Sequence, residues 1–167
     1  MSPQSMTEAY LRGSRRTVAG RQPEQRAKRT RRETAVALAG IPLFVGFSKK
    51  HLERLAREVD EQIFAPGEAI VEEGMLGETL FVVMEGTGKV VRRGRKVGEV
   101  VPGDFFGELS AIDGGPRTAS VVAVTPMVVL RLFRRTLVTM LEEEPHLVLK
   151  LVDGITRRFR EVQRRTG

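Results

Sequence analysis

Hydrophobic residues change their spacing along this chain, and each change predicts a different kind of element. A short helix is expected from about Thr34 to Ala39, broken by Gly40 and Pro42. Ser48 suits the N-cap of a second helix, Lys49 to Glu58, with Leu52, Leu55, Ala56 and Val59 on one face. The helical period then stops. Strand-like pieces follow at Glu61–Ala65, Ala69–Val71, Thr79–Met84, Lys89–Arg92, Lys96–Val101, Thr118–Val124 and Met127–Phe133. Gly, Pro and Asp separate most of them, and Val, Ile and Phe dominate, as suits a pleated two-layer structure. Such short, regular strands with turn signals predict a jelly roll or barrel. Arg92-Arg93-Gly94-Arg95 reads as a hairpin turn carried by Gly94, its charges discouraging edge pairing. After Phe133 the helical period returns. One helix covers Arg134 to Glu143, and Pro145 can open the next at its first turn. From His146 to about Arg165, Leu147, Leu151, Ile155, Phe159 and Val162 fall on a single stripe. Arg157, Arg158, Arg160, Arg164 and Arg165 crowd its last turns, where the helix dipole favours cations.

A length of 167 residues suits one domain with a real core. Cysteine is absent, which excludes disulfides and thiolate metal sites. The two histidines, His51 and His146, stand far apart in helical contexts and are expected to face solvent rather than hold a metal. No apolar run approaches a membrane span, and no secretory signal is visible, so the expectation is a soluble, cytoplasmic protein. The formal net charge of +7 is uneven. Residues up to Glu33 hold nine Lys or Arg against three Glu, and what remains is close to neutral. The expected organisation is a basic, flexible arm over 1–33, a helical segment over 34–60, a β-roll over 61–133 and C-terminal helices over 134–167. Such an arm suits nucleic acid, anionic lipid or an acidic protein, or is a solvated tail. Tyr10 is its only aromatic, so a stacking platform for single strands is not supported.

The densest chemistry lies between Phe105 and Val121, Phe-Phe-Gly-Glu-Leu-Ser-Ala-Ile-Asp-Gly-Gly-Pro-Arg-Thr-Ala-Ser-Val. Glu108 follows Gly107, and Arg117 comes after a short helical turn and a Gly-Gly-Pro corner. Free N–H groups at a helix start favour an anion, and an arginine fork favours phosphate. A carboxylate accepts hydrogen bonds only, so it suits a sugar hydroxyl. Phosphate and ribose held together describe a nucleotide gripped by its sugar-phosphate end. Alone, Glu108 and Arg117 read equally as an internal ion pair.

This run resembles the phosphate-binding cassette of the cyclic-nucleotide-binding domain family, which reads Phe-Gly-Glu-Leu-Ala, a gap, then Pro-Arg-(Thr/Ala/Ser)-Ala. The resemblance extends over roughly Ile41 to the C-terminus. It includes Ala65-Pro66-Gly67-Glu68 to Gly74, Leu80-Phe81-Val82-Val83-Met84-Glu85-Gly86, and Val101-Pro102-Gly103-Asp104-Phe105. It implies an α+β fold: an eight-stranded β-roll (a double-stranded β-helix or jelly roll) flanked by N-terminal helices and two C-terminal helices. The implied ligand contacts are Phe106, Gly107, Glu108, Leu109, Ser110, Arg117, Thr118 and Ala119. Backbone N–H groups around Gly107, Leu109 and Ser110 would face the cyclic phosphate, Arg117 would pair with it, and Glu108 would take the ribose 2′-OH. Leu109 would be an apolar reporter or plain core. Base contacts would come from Val100, Ile155, Phe159, Val162 and Gln163, with the last helix as a lid. The implied ligand is cAMP, with cGMP the alternative.

No catalytic residues and no metal or other cofactor are expected. Gly86-Thr87-Gly88-Lys89 lacks the second upstream glycine and the Ser/Thr of a P-loop, and Asp113-Gly114-Gly115 lacks the alternating ligands of a calcium loop. The expected role is a regulatory sensor whose C-terminal helix moves on binding. The C-terminal helices are also expected to meet a second copy or a partner protein. Two alternatives stand. One is a transcription regulator of catabolite-activator type, which needs a helix-turn-helix not found before Gly167 and so implies a fragment of a longer chain. The other is a structural module with an empty pocket.

Overall fold

The computed structural model describes residues 27–166, without the side chains of 162, 165 and 166. The expected basic arm up to residue 26, and the base contact expected of Val162, lie outside the described residues. Helix α1 (Arg31–Ala39) starts inside the segment assigned to the arm. Thr30 caps it by accepting from the Glu33 N–H, and the Glu33 carboxylate accepts from the Thr30 N–H in return. The two hydrogen bonds draw the helix start back from Thr34, whose N–H bonds to the Thr30 carbonyl. A 3-10 turn (Pro42–Phe44) then leads to α2 (Lys49–Glu58), capped by Ser48.

Eight strands follow: β1 (Asp60–Phe64), β2 (Ala69–Val71), β3 (Thr79–Glu85), β4 (Gly88–Arg92), β5 (Arg95–Val100), β6 (Phe105–Phe106), β7 (Ser120–Ala123) and β8 (Met127–Phe133). They form two four-stranded sheets, ordered β1-β8-β3-β6 and β2-β7-β4-β5, with antiparallel pairing throughout. The β4–β5 hairpin pairs Arg92 with Arg95, and Arg93 and Gly94 both take positive φ, +50° and +74°. Those are the mirror-image turn dihedrals that match strand twist. Strand β6, which none of the seven strand-like pieces covers, has only two residues and sits inside the cassette, where no alternation could announce it. Helix α3 (Glu108–Asp113) follows it, and α4 (Arg134–Glu143) and α5 (Pro145–Thr166) complete the chain.

Two apolar clusters share this architecture. Inside the roll, Phe81, Val83, Val100, Phe106, Val121, Met127 and Val129 face one another across the sheets. Outside it, Leu80, Val82, Leu130 and Leu132 turn the opposite way and pack on Leu38, Phe44, Leu55, Leu137, Leu147 and Leu151. Alternation along β3 and β8 explains the division, because successive residues serve opposite faces. The root of α5 thus belongs to the helical cluster. Lys150 adds to its seat by donating to the carbonyls of Pro42 (3.0 Å) and Val45 (2.6 Å). No helix among the described residues is long and apolar enough to cross a membrane.

The histidines do not stand apart facing solvent. His51 on α2 and His146 at the start of α5 both approach Glu144, His146 Nδ1 at 3.3 Å from Oε2. The Phe47 ring lies edge-on to both, its centroid 6.3 Å from His51 and 5.6 Å from His146. Folding brings the two helix ends together around that ring, which their spacing in sequence could not show.

Candidate functional site

Strand β6 ends at Gly107, whose φ of +80° lets the chain turn at once into α3. A side chain there is excluded twice: a Cβ would fall 2.6 Å from Arg117 Nη1 and 2.8 Å from the Thr79 carbonyl. No side chain caps α3, so the N–H groups of its first turn are left to other acceptors. Arg117 returns to this point from the loop before β7 and is 7% exposed. Its Nη1 donates to the carbonyls of Thr79 (2.8 Å) and Gly107 (3.0 Å), and Nη2 to Thr79 Oγ1 (2.9 Å). Three of the five guanidinium N–H donors are thereby used, leaving Nε–H and one Nη2–H. Gly77 makes the room, since a Cβ there would lie 2.5 Å from Arg117 Nε. Burial lowers the Arg117 pKa and nearby Glu108 opposes that shift; the group stays charged at any ordinary pH.

Glu108 is 6% exposed, yet its partner is not Arg117. Arg158, from the middle of α5, donates through Nη1 to both carboxylate oxygens at 3.0 Å. The same guanidinium lies 5.0 Å from the centroid of Phe105. Gly154, one turn earlier, packs so closely on that ring that any Cβ would overlap it. Ring, carboxylate and arginine together set the rotation of α5 over the roll.

A cavity of about 290 Å³ opens between these elements. Val71, Phe106 and Val121 line it from inside the roll, Gly107 to Ser110 and Arg117 to Ala119 from the cassette, and Ile155, Arg158 and Phe159 from α5. A buried cation and a buried carboxylate at one end with apolar walls beyond fit a polar, phosphorylated ligand with a flat apolar part. A second cavity, about 10 Å³ beside Phe47 and His51, has no room for one.

A family model for the cyclic nucleotide-binding domain matches residues 61–144. The chain belongs to that family. The cyclic AMP receptor protein of Thermus thermophilus is 30% identical over 129 residues, 74% of this chain and 60% of that protein. The chain thus spans well under two thirds of that relative's length. A crystal structure of a cyclic nucleotide-binding domain from Methylobacillus flagellatus is 29% identical with a TM-score of 0.66, covering 81% of each chain. The regulatory subunit of a cAMP-independent protein kinase A from Trypanosoma cruzi, bound to guanosine, is 32% identical with a TM-score of 0.66. That match covers 74% of this chain and 46% of the other.

Within this cyclic nucleotide-binding domain, all eight expected cassette residues line the cavity, as do Ile155 and Phe159. Leu109 is 41% exposed there and so is not plain core. Val100 and Gln163 do not reach the cavity. Val100 is 1% exposed and shares the inward face of β5 with Gly98, which does line the cavity, but lies further along the strand, beside Gly88 and Met127. Gln163 lies on an exposed part of α5 beyond the cavity, placed there by the rotation that Arg158 imposes. Sequence reasoning missed Gly77, Thr79 and Arg158. Thr79 and Gly77 carry no motif of their own. Arg158 had one clue, standing three residues after Ile155 on the same helical face.

Proposed function

We propose that this chain binds a 3′,5′-cyclic nucleotide and reports it through the position of α5. The observation that carries this reading is the pair of buried opposite charges, Arg117 and Glu108, opening onto one cavity. The two unspent donors of Arg117 and the N–H groups of α3 would take the cyclic phosphate. Glu108 would accept from the ribose 2′-OH, and the base would lie against Ile155 and Phe159. Glu108 also holds α5 through Arg158, so ribose and helix share one carboxylate. A ligand moves α5 only to the extent that it binds one helix position better than another. The role is regulatory, with ligand released unchanged. No part of it requires a metal or other cofactor.

Calorimetric titration with cAMP and cGMP tests the reading. Arg117→Ala is expected to lose roughly 2–5 kcal/mol of binding, because it strips the phosphate of its buried charge partner. Glu108→Ala is expected to weaken ribonucleotides while changing 2′-deoxy analogues much less. If both variants bind as the unaltered protein does, the site is elsewhere. The Glu108–Arg158 ion pair favours one other reading, a module that completes its own pocket and binds nothing. Absence of heat with either nucleotide would select it.

A further inference from the structure

Leu76 is 79% exposed, more than any other large apolar side chain among the described residues, and Met75 beside it is 55% exposed. Both stand on the loop from β2 to β3, whose backbone is not free to turn them inward. The loop is fastened to the segment before β7. Gly74 N–H donates to the Arg117 carbonyl and Arg117 N–H to the Met75 carbonyl, both at 2.8 Å, while Leu76 pairs with exposed Pro116. At the far end of the loop the Glu78 carbonyl accepts from the Arg134 N–H at 2.9 Å. Main-chain bonds thus hold an apolar pair in water, a cost that a covering partner removes. The charge around the pair is one-sided. Residues 72–78 hold Glu72, Glu73 and Glu78 and no cation. Glu73 accepts from the Arg93 N–H at 2.9 Å. The carboxylates of Glu72 and Glu78 have no partner among the described residues, Arg134 approaching Glu78 at Gly114 without pairing.

We propose that this loop is the docking surface for the chain's own N-terminal arm, Tyr10 and Leu11 covering Met75 and Leu76. Residues 1–26 hold Arg12, Arg15, Arg16, Arg21 and Arg26 against Glu8 and Glu24. Tyr10 and Leu11 stand directly before the first three of those arginines. An apolar pair beside cations is the complement of an apolar pair between carboxylates. Guanidinium forks suit the unpaired carboxylates of Glu72 and Glu78. The chain is long enough. Lys28 lies 3.9 Å from Asp60 and Arg29 pairs with Glu61, so the arm leaves the roll at the start of β1. Leu11 stands 16 residues before Ala27, a reach of about 50 Å at full extension. A domain of this size has a radius of gyration of about 14 Å, so the loop is within that reach. The acidic partner that the charge of the arm calls for is then part of the same molecule. Met75 and Leu76 do not line the nucleotide cavity, so docking covers the loop and leaves the cavity open.

Two properties of the sequence make the test clean. Tyr10 is the chain's only tyrosine and tryptophan is absent, so tyrosine emission reports the arm alone. In the full chain at low salt, the anisotropy of that emission is expected to match tumbling of the whole molecule. It is expected to fall toward that of a free peptide in Leu76→Ser, in Glu72→Lys combined with Glu78→Lys, and as salt screens the charges. Circular dichroism checks that each variant is folded. Low anisotropy in the unaltered protein overturns the proposal, and so does high anisotropy that these substitutions leave unmoved. Cysteine is also absent, so Leu11→Cys with Leu76→Cys supplies a single thiol pair in the full chain. Mild oxidation is expected to close a disulfide within one chain about tenfold faster than in a control pair, Leu11→Cys with Val36→Cys, because docking raises the effective concentration. Val36 is 69% exposed and nearer in sequence, so an undocked arm favours the control. Equal rates overturn the proposal. Disulfides between chains overturn it too, by assigning the loop to a second copy.

Discussion

Arg117 closes the cassette on itself through Thr79 and Gly107 and keeps two donors unspent, which the proposed function gives to the phosphate. Arg117→Ala should therefore cost stability as well as binding. About 1–3 kcal/mol is expected for the carbonyls left unpaired, read as a lower midpoint in chemical denaturation. Arg117→Lys restores charge without the fork, so it should recover less than the full affinity in the same titration. Glu108, Gly107 and Arg117 were legible in the sequence because one contiguous motif carries them. Thr79, Gly77 and Arg158 were not, because they reach the site from 38, 40 and 41 residues away on other elements. Val100 does face the inside of the roll but lies beyond the cavity, because a strand's alternation gives the face of a residue and not its distance from a ligand.

At the scale of elements, the seating of α5 on the roll depends on the lack of a side chain at Gly154. Gly154→Ala should raise helix propensity and yet lift the helix from Phe105, since the added methyl has no space. Faster amide hydrogen exchange over the second half of α5, with exchange near Leu147 unchanged, is the expected outcome. Arg158→Ala should give the same pattern, together with a changed affinity for ribonucleotides, because Glu108 loses its partner. Seven of the eight strands were legible to within a residue or two, since Gly, Pro and Asp punctuate most of them; β6 was not. The start of α1 was not, because Thr30 and Glu33 sit in a run of arginines whose charge masks the capping box. The arginines crowding the last turns of α5 likewise hid the one that faces the site. Arg157 pairs with Asp153 along the helix surface, while Arg158 turns inward.

At the scale of the whole molecule, Arg29, two residues before α1, ties that helix start to the roll. Arg29 spans Glu61 on β1 and Glu85 on β3, at 3.0 and 2.5 Å, and its side chain is 17% exposed. A chain beginning at Thr34 loses this tie and the cap of α1. It should melt at a lower temperature by differential scanning calorimetry while binding nucleotide with unchanged affinity, because neither group lines the cavity. The same division of labour marks α5. Its first turns are set among Leu38, Phe44 and Leu137, whereas Phe159 near its far end is 63% exposed. Under the proposed function, an oar held in its rowlock describes the consequence: a swing of the far half would break its contacts at Glu108 and Phe105 and leave the pivot among Leu38, Phe44 and Leu137 in place.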